Sequence, residues 1–190
     1  MWDLRKYKDN IALIDESDKR VTYEQLDHEC QILANVIGRR CLVFSLCENT
    51  IGSLLGYVGF LNNQIVPVML SSSMEHESLE HLLEVYHPAY MWAPVRWKST
   101  LKQMACVYEA YDYVLLKTDY EREYDLYKEL ALLLTTSGST GSPKLVRQSY
   151  ENILDNAKSI VRYLELDEDE RPITTLPMNY TYGLSIINSH

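Results

Sequence analysis

Residues 135–144 read T-T-S-G-S-T-G-S-P-K, and the apolar run 131–134 leads straight into them. An apolar run that opens into a turn of glycines and hydroxyls is how a buried strand delivers a loop onto an anion. The glycines Gly138 and Gly141 let backbone N–H groups come close to an oxyanion, and the hydroxyls of Thr136, Ser137, Ser139 and Thr140 add rotatable donors. Lys144 supplies a point charge at the exit. The chemistry this suits best is binding of a polyphosphate. A Walker-type loop needs glycine, four residues, then Gly-Lys-Ser/Thr. Here Gly141 follows Gly138 after two residues, and Lys144 lies between Pro143 and Leu145, so that spacing fails. A flexible Ser/Gly linker is the bland alternative, but a linker needs neither three consecutive leucines at its entrance nor a Pro-Lys exit.

The elements around this loop follow from periodicity and punctuation. Residues 11–14 predict a short strand. Thr22 and Gln25 form a capping box for a helix with Leu26, Cys30, Leu33, Ala34 and Ile37 on one face and Gly38 at its end. Residues 41–46 predict a strand buried on both faces. Asn49 is expected to cap the next helix, where Gly52, Gly56 and Gly59 allow close packing on a sheet. Residues 65–70 predict a strand, Ser73 the cap of a helix carrying Leu79, Leu82, Leu83 and Tyr86, and residues 90–93 another strand. This alternation predicts an α/β fold, a mostly parallel sheet flanked by helices. After the loop, Ser149 caps a helix with Ile153, Ala157, Ile160, Val161 and Leu164. Residues 173–176 read as a strand, and residues 185–188 as a helix just beginning. Within 96–127 only residues 113–116 predict a strand, among tyrosines expected to be partly buried packing residues.

Composition excludes several classes. Eighteen basic against 27 acidic residues give a net charge of −9, which argues against nucleic acid or an anionic membrane as partner. No apolar stretch approaches the roughly 20 residues of a spanning helix, and residues 1–3 lead into charge rather than a secretory signal. Cys30, Cys41, Cys47 and Cys106 lack paired spacing and read as buried thiols of a reducing cytoplasm. His76 and His81 frame a near-match to the zinc-protease motif, but five residues put them roughly 140° apart on a helix. They are expected to be solvated, and no metal-ligating residues are assigned.

The string T-T-S-G-S-T-G-S-P-K resembles the phosphate-loop signature of the adenylate-forming (AMP-binding) enzymes, among them acyl- and aryl-CoA synthetases, peptide-synthetase adenylation domains and luciferases. Residues 176–184, L-P-M-N-Y-T-Y-G-L, resemble a second motif of that family, roughly L-P-M-F-H-x-Y-G-L, and Thr22-Tyr23-x-x-Leu26 resembles a segment before its first long helix. The resemblance implies a ligase: a carboxylate and MgATP give an acyl-adenylate and pyrophosphate, and the acyl group then passes to CoA or the pantetheine of a carrier protein. It implies that Thr136, Ser137, Gly138, Ser139, Thr140, Gly141 and Lys144 hold the β- and γ-phosphates, with ATP and Mg²⁺ as cofactors. It places Tyr180 at the border of the acyl and nucleotide pockets, where the family has histidine. Tyrosine is neutral at pH 7 and cannot act as an imidazole. Leu145 stands for a usual glycine and Tyr150 for a usual histidine. No counterpart of the family's later motifs (the acidic Mg²⁺ residue, the ribose aspartate, the lysine of the C-terminal domain) occurs in residues 1–190. The chain is therefore expected to be a single N-terminal α/β fragment, residues 1–190, of a longer AMP-binding domain. It is expected to be inactive alone, with no catalytic residue of its own, a mobile loop at 137–142 and exposed apolar surface prone to self-association. A non-catalytic nucleotide- or phosphate-binding module, and an interaction domain with an inert loop, are the other two classes the sequence allows.

Overall fold

The structure is a computed structural model that describes residues 1–120, 122–135 and 144–190. Its elements in order are β1 (Ile11–Ile14), β2 (Arg20–Thr22), α1 (Tyr23–Ile37), β3 (Leu42–Cys47), α2 (Ile51–Asn62), β4 (Val66–Ser71), α3 (His76–Tyr86), β5 (Tyr90–Pro94), β6 (Ala105–Ala110), β7 (Tyr113–Lys117), β8 (Leu130–Thr135), β9 (Leu145–Ser149), α4 (Tyr150–Leu164) and α5 (Thr181–Ser189). Strands β1 and β2 form a small antiparallel pair, and the other seven make one sheet in the order β6-β7-β5-β3-β4-β8-β9. The expected parallel order holds for the four central strands, β5, β3, β4 and β8. Both margins are antiparallel, through β7 and β6 on one side and β9 on the other.

The period of two along each strand sends alternate side chains to opposite faces. In β3, Val43 and Cys47 face a core shared with α1, α2 and the buried residues Ile153, Met178 and Leu184. Leu42, Phe44 and Leu46 face a second core with Leu79, Leu82 and Leu83 of α3 and with Trp97 and Leu101. Burial on both faces is why β8 reads as an apolar run and β3 as one interrupted only by the buried Ser45.

Close approach decides the composition of α2. A Cβ on Gly56 would lie 2.3 Å from Cδ1 and Nε1 of Trp92, whose indole N–H donates to the Gly52 carbonyl at 2.9 Å. A Cβ on Gly52 would lie 2.6 Å from the ring of Tyr113. Gly59 faces Cys30 of α1 instead of the sheet. Replacing Gly56 by alanine gains about 1 kcal/mol of helix propensity against an overpacking cost of about 1–3 kcal/mol or more. Because Trp92 is fully buried and cannot swing aside, Gly56→Ala is expected to lower Tm by several degrees; calorimetry showing an unchanged or raised Tm would refute that packing.

The sequence reading of local structure holds at α1, α4 and the expected strands of residues 11–14, 41–46, 65–70, 90–93 and 113–116, and is corrected at several other points. Thr22 and Gln25 form the reciprocal capping box, and Gly38 closes α1 with φ 70°. Ser149 caps α4 through Asn152. Helix α2, however, is capped by Thr50, which accepts from the Ser53 N–H, and not by Asn49. Helix α3 starts after Glu75, because the Ser71 hydroxyl engages Ser73 in a turn of its own. Strands β6 and β9 were not expected. Residues 173–176 are not a strand, and α5 begins at Thr181, earlier than residue 185.

Three tyrosines of the 108–127 region make hydrogen bonds that hold the fold. Tyr113 donates to the Leu46 carbonyl at 2.8 Å and Tyr124 to the Tyr86 carbonyl at 2.5 Å, while Tyr108 bonds Glu29. Cys30, Cys41 and Cys47 are buried, and burial pushes Cys41 up to about 11 and Cys47 to about 12. Cys106 is exposed, contrary to expectation, because its strand lies at the sheet margin. His81 is exposed, but His76 is half-buried, stacks on Trp97 and faces Glu80 at 3.4 Å. Among the described residues no helix is long and apolar enough to cross a membrane.

Candidate functional site

Since β3, β4, β5 and β8 run parallel, their carboxyl ends emerge at one edge of the sheet, the edge where open α/β sheets hold ligands. Thr135 ends β8 there, and pairs with Leu145 at the start of β9. Strands β8 and β9 therefore form a hairpin whose described ends, Thr135 and Leu145, lie at the carboxyl edge. Thr136, Ser137, Gly138, Ser139, Thr140 and Gly141, with the mobility expected of 137–142, lie outside the described residues. Lys144 is described: it is exposed and stands at the foot of the hairpin, next to the first paired residue of β9.

Strand β9 has a chemical consequence. It returns the chain to the amino edge, where Ser149 pairs with Leu130 and the Tyr150 N–H donates to the Glu129 carbonyl at 3.2 Å. The N-terminus of α4 thus lies at the edge opposite the loop. A Walker-type loop draws part of its anion affinity from the helix it enters, but this hairpin cannot. Phosphate affinity at this loop would have to come from its own N–H groups, its hydroxyls and Lys144. Tyr150 is carried away with the helix. Its hydroxyl is buried beside the Arg40 guanidinium, and burial raises its pKa against the hydrogen-bonding and charge of Arg40.

Arg40 fixes the amino end of β8. Its guanidinium donates to the carbonyls of Gln64 at 2.5 Å, Tyr127 at 2.7 Å and Leu130 at 2.8 Å. This ties the hairpin's inner strand to the turn before β4.

The second motif comes back to the carboxyl edge. The side-chain amide of Asn49, just beyond β3, donates to the carbonyls of Thr174 at 2.6 Å and Leu176 at 2.9 Å. Met178 and Asn179 are buried, Tyr180 is 50% exposed, and Leu184 enters the core. A Cβ on Gly183 would lie 2.1 Å from the Pro177 carbonyl oxygen, so this turn of the motif admits only glycine without movement. At the far end of α5, the Tyr57 hydroxyl donates to Asn188 at 2.8 Å. Lys144 and the Tyr180-bearing segment therefore belong to the same edge, though they come from elements far apart in sequence.

Sequence reasoning missed the polar cluster beside them. Glu48 follows β3, accepts from Ser72 beyond β4 at 2.7 Å and pairs with Arg96 beyond β5. The Arg96 hydrogen bond, the largest influence, holds the Glu48 carboxyl below its ordinary value. Burial, followed by the negative charge of Glu48, raises that of Asp112. These residues are unremarkable in sequence, and only the parallel register brings the strand ends together.

Comparison with known proteins identifies the family and the fold. The family model described as AMP-binding enzyme matches residues 2–189. The 3,4-dihydroxybenzoate–[aryl-carrier protein] ligase of Bacillus anthracis is 39% identical over 59 residues, 31% of this chain and 14% of its own. The 2-succinylbenzoate–CoA ligase of Bacillus pumilus (strain SAFR-032) is 37% identical over 67 residues, 35% of this chain and 14% of its own. ATP-bound MatB from Rhodopseudomonas palustris superposes with a TM-score of 0.74 at 20% identity, over 94% of this chain and 39% of that one. The chain thus spans well under half the length of the relatives it matches. The match over nearly all of its residues, on a fold shared with MatB, makes the chain a member of the AMP-binding enzyme family.

Proposed function

We propose that the whole protein is a ligase that activates a carboxylic acid with ATP, releasing pyrophosphate and forming an acyl-adenylate, and then transfers the acyl group to the thiol of CoA or of a carrier protein. The observation that carries this reading is the hairpin bearing T-T-S-G-S-T-G-S-P-K on the carboxyl edge, in a chain matched by the family model from residue 2 to residue 189. Relatives named as an aryl-carrier protein ligase and a CoA ligase, and a neighbour solved with ATP, support it.

The donor set fits MgATP. Thr136, Ser137, Gly138, Ser139, Thr140 and Gly141 would hold the β- and γ-phosphates with N–H and hydroxyl donors, and Lys144 would offset charge on the departing pyrophosphate. Mg²⁺ would neutralise phosphate oxygens. Tyr180, half exposed at the same edge, would border the acyl pocket as a neutral hydroxyl-bearing ring.

Residues 1–190 are proposed as one N-terminal unit of the AMP-binding domain, inactive in isolation because the later groups implied by the family lie outside them. The test is carboxylate-dependent exchange of labelled pyrophosphate into ATP by the whole protein across a panel of acids. Exchange with at least one acid is expected. MgATP binding without exchange, for every acid, would replace the ligase by a nucleotide-binding module.

Residues 1–190 expressed alone are also expected to self-associate. Tyr163 is 86% exposed, and Ile173 and Tyr182 are each 77% exposed, all in the C-terminal part of the chain; exposed apolar surface of this kind favours association. Sedimentation velocity should show a concentration-dependent rise in mass, and a strict monomer up to high concentration would refute it.

A further inference from the structure

Asn49 is polar, exposed and not needed as a helix cap, since Thr50 fills that place. Its amide instead donates to the carbonyls of Thr174 and Leu176. Carbonyls two residues apart on an extended segment point the same way, and a primary amide has two N–H groups to meet such a pair. Asn49 thus meets two carbonyls of residues 174–176 as the edge of a neighbouring strand would, although the segment does not belong to the sheet. Ile173 and Leu176 of this strap are exposed, so apolar burial does little to locate it. Its polar fixed points are Asn49 at one end and the Tyr57–Asn188 hydrogen bond at the other, with Met178 and Leu184 buried in the core between them. Both donors belong to the β3–α2 unit, whose buried strand is a rigid mount. Tyr180 lies between the two anchors, and Lys144 stands on a different support, the β8–β9 hairpin.

We propose that Asn49 is a positioning residue that holds the Tyr180-bearing segment at the carboxyl edge, and so sets the carboxylate pocket without touching the phosphate subsite. The kinetic half of this assignment rests on the ligase reading above. An aspartate in its place would present acceptors to two carbonyls, and an alanine would present nothing.

The test uses the whole protein with Asn49→Ala, Asn49→Asp and Asn49→Gln, read by amide hydrogen–deuterium exchange and by substrate-resolved kinetics. Losing two hydrogen bonds is expected to speed deuterium uptake at 177–184 about tenfold and to raise KM for the carboxylic acid by about the same factor. Tm should stay at the wild-type value, KM for ATP should rise far less than KM for the acid, and Asn49→Gln, which keeps both donors, should recover part of the loss. Unchanged uptake at 177–184 in the alanine and aspartate variants would overturn the tether. Equal rises in both KM values, with uptake spread through β3 and α2, would make Asn49 a plain structural residue. If wild-type protein exchanges pyrophosphate with no acid, the ligase reading falls, while the uptake measurement still decides the tether.

Discussion

Lys144→Ala is expected to lower carboxylate-dependent pyrophosphate exchange by the whole protein about a hundredfold, the scale seen when one preorganised donor to developing charge is removed. Lys144 sits at the foot of a hairpin whose return strand carries α4 to the opposite edge of the sheet. No helix N-terminus from α4 is available to share its electrostatic task. The fold should not register the change, because Lys144 is exposed and the pairing of Thr135 with Leu145 is made by backbone. Surface substitutions of this kind alter stability by about 0.5 kcal/mol or less. Circular dichroism and Tm should therefore match wild type while exchange collapses. Lys144→Arg keeps the charge but changes its shape and should recover only part of the rate. Full exchange in the alanine variant would remove Lys144 from the phosphate site.

Gly183→Ala should have the largest effect on the second motif. The added Cβ would lie 2.1 Å from the Pro177 oxygen, 2.6 Å from the Pro177 carbonyl carbon and 2.8 Å from the Leu176 oxygen. These are backbone atoms, so no side chain can rotate out of the way. Either α5 withdraws or the turn opens, and both loosen Met178 and Leu184 from the core. Overpacking against a fixed neighbour costs about 1–3 kcal/mol, sometimes more, which for a chain of this size is a fall in Tm of about 3–10 °C. Exchange activity should fall too, because Tyr180 lies within the displaced turn. Thermal melting of wild type and variant side by side decides the point. A Tm within about 1 °C of wild type would mean that the turn absorbs the methyl and that the close approach has no energetic weight.

Where sequence and structure agree, local chemistry decides the outcome. Thr22 with Gln25, Gly38 and Ser149 act within one turn of the chain, so their signals survive any tertiary context. The buried strands β3, β4 and β8 were legible because burial on both faces demands continuous apolar residues. The failures are tertiary. Nothing local chooses between Asn49 and Thr50 as the cap; the choice reflects the strap that Asn49 holds. Strand β9, L-V-R-Q-S, is half exposed at a sheet margin and has no apolar run to announce it. Residues 173–176 look like a strand by composition, yet their carbonyls meet a side-chain amide instead of a ladder. The cluster of Glu48, Ser72 and Arg96 depends on strand ends 24 and 48 residues apart meeting at one edge.

The pairing of Thr135 with Leu145 also bears on how this protein could lose its activity. Register on β8 is set by Leu132, Leu133 and Leu134, which are buried in the two cores, and a slip would turn every one of them to the wrong face. Under the proposed function, mutations between Thr135 and Leu145 would erode phosphate binding while the buried leucines still fix the register of β8. Screens that score solubility or thermal shift would pass such variants as healthy, and quality-control proteases would leave them alone. A cell could therefore accumulate an intact but silent copy, and only an assay of turnover would expose it.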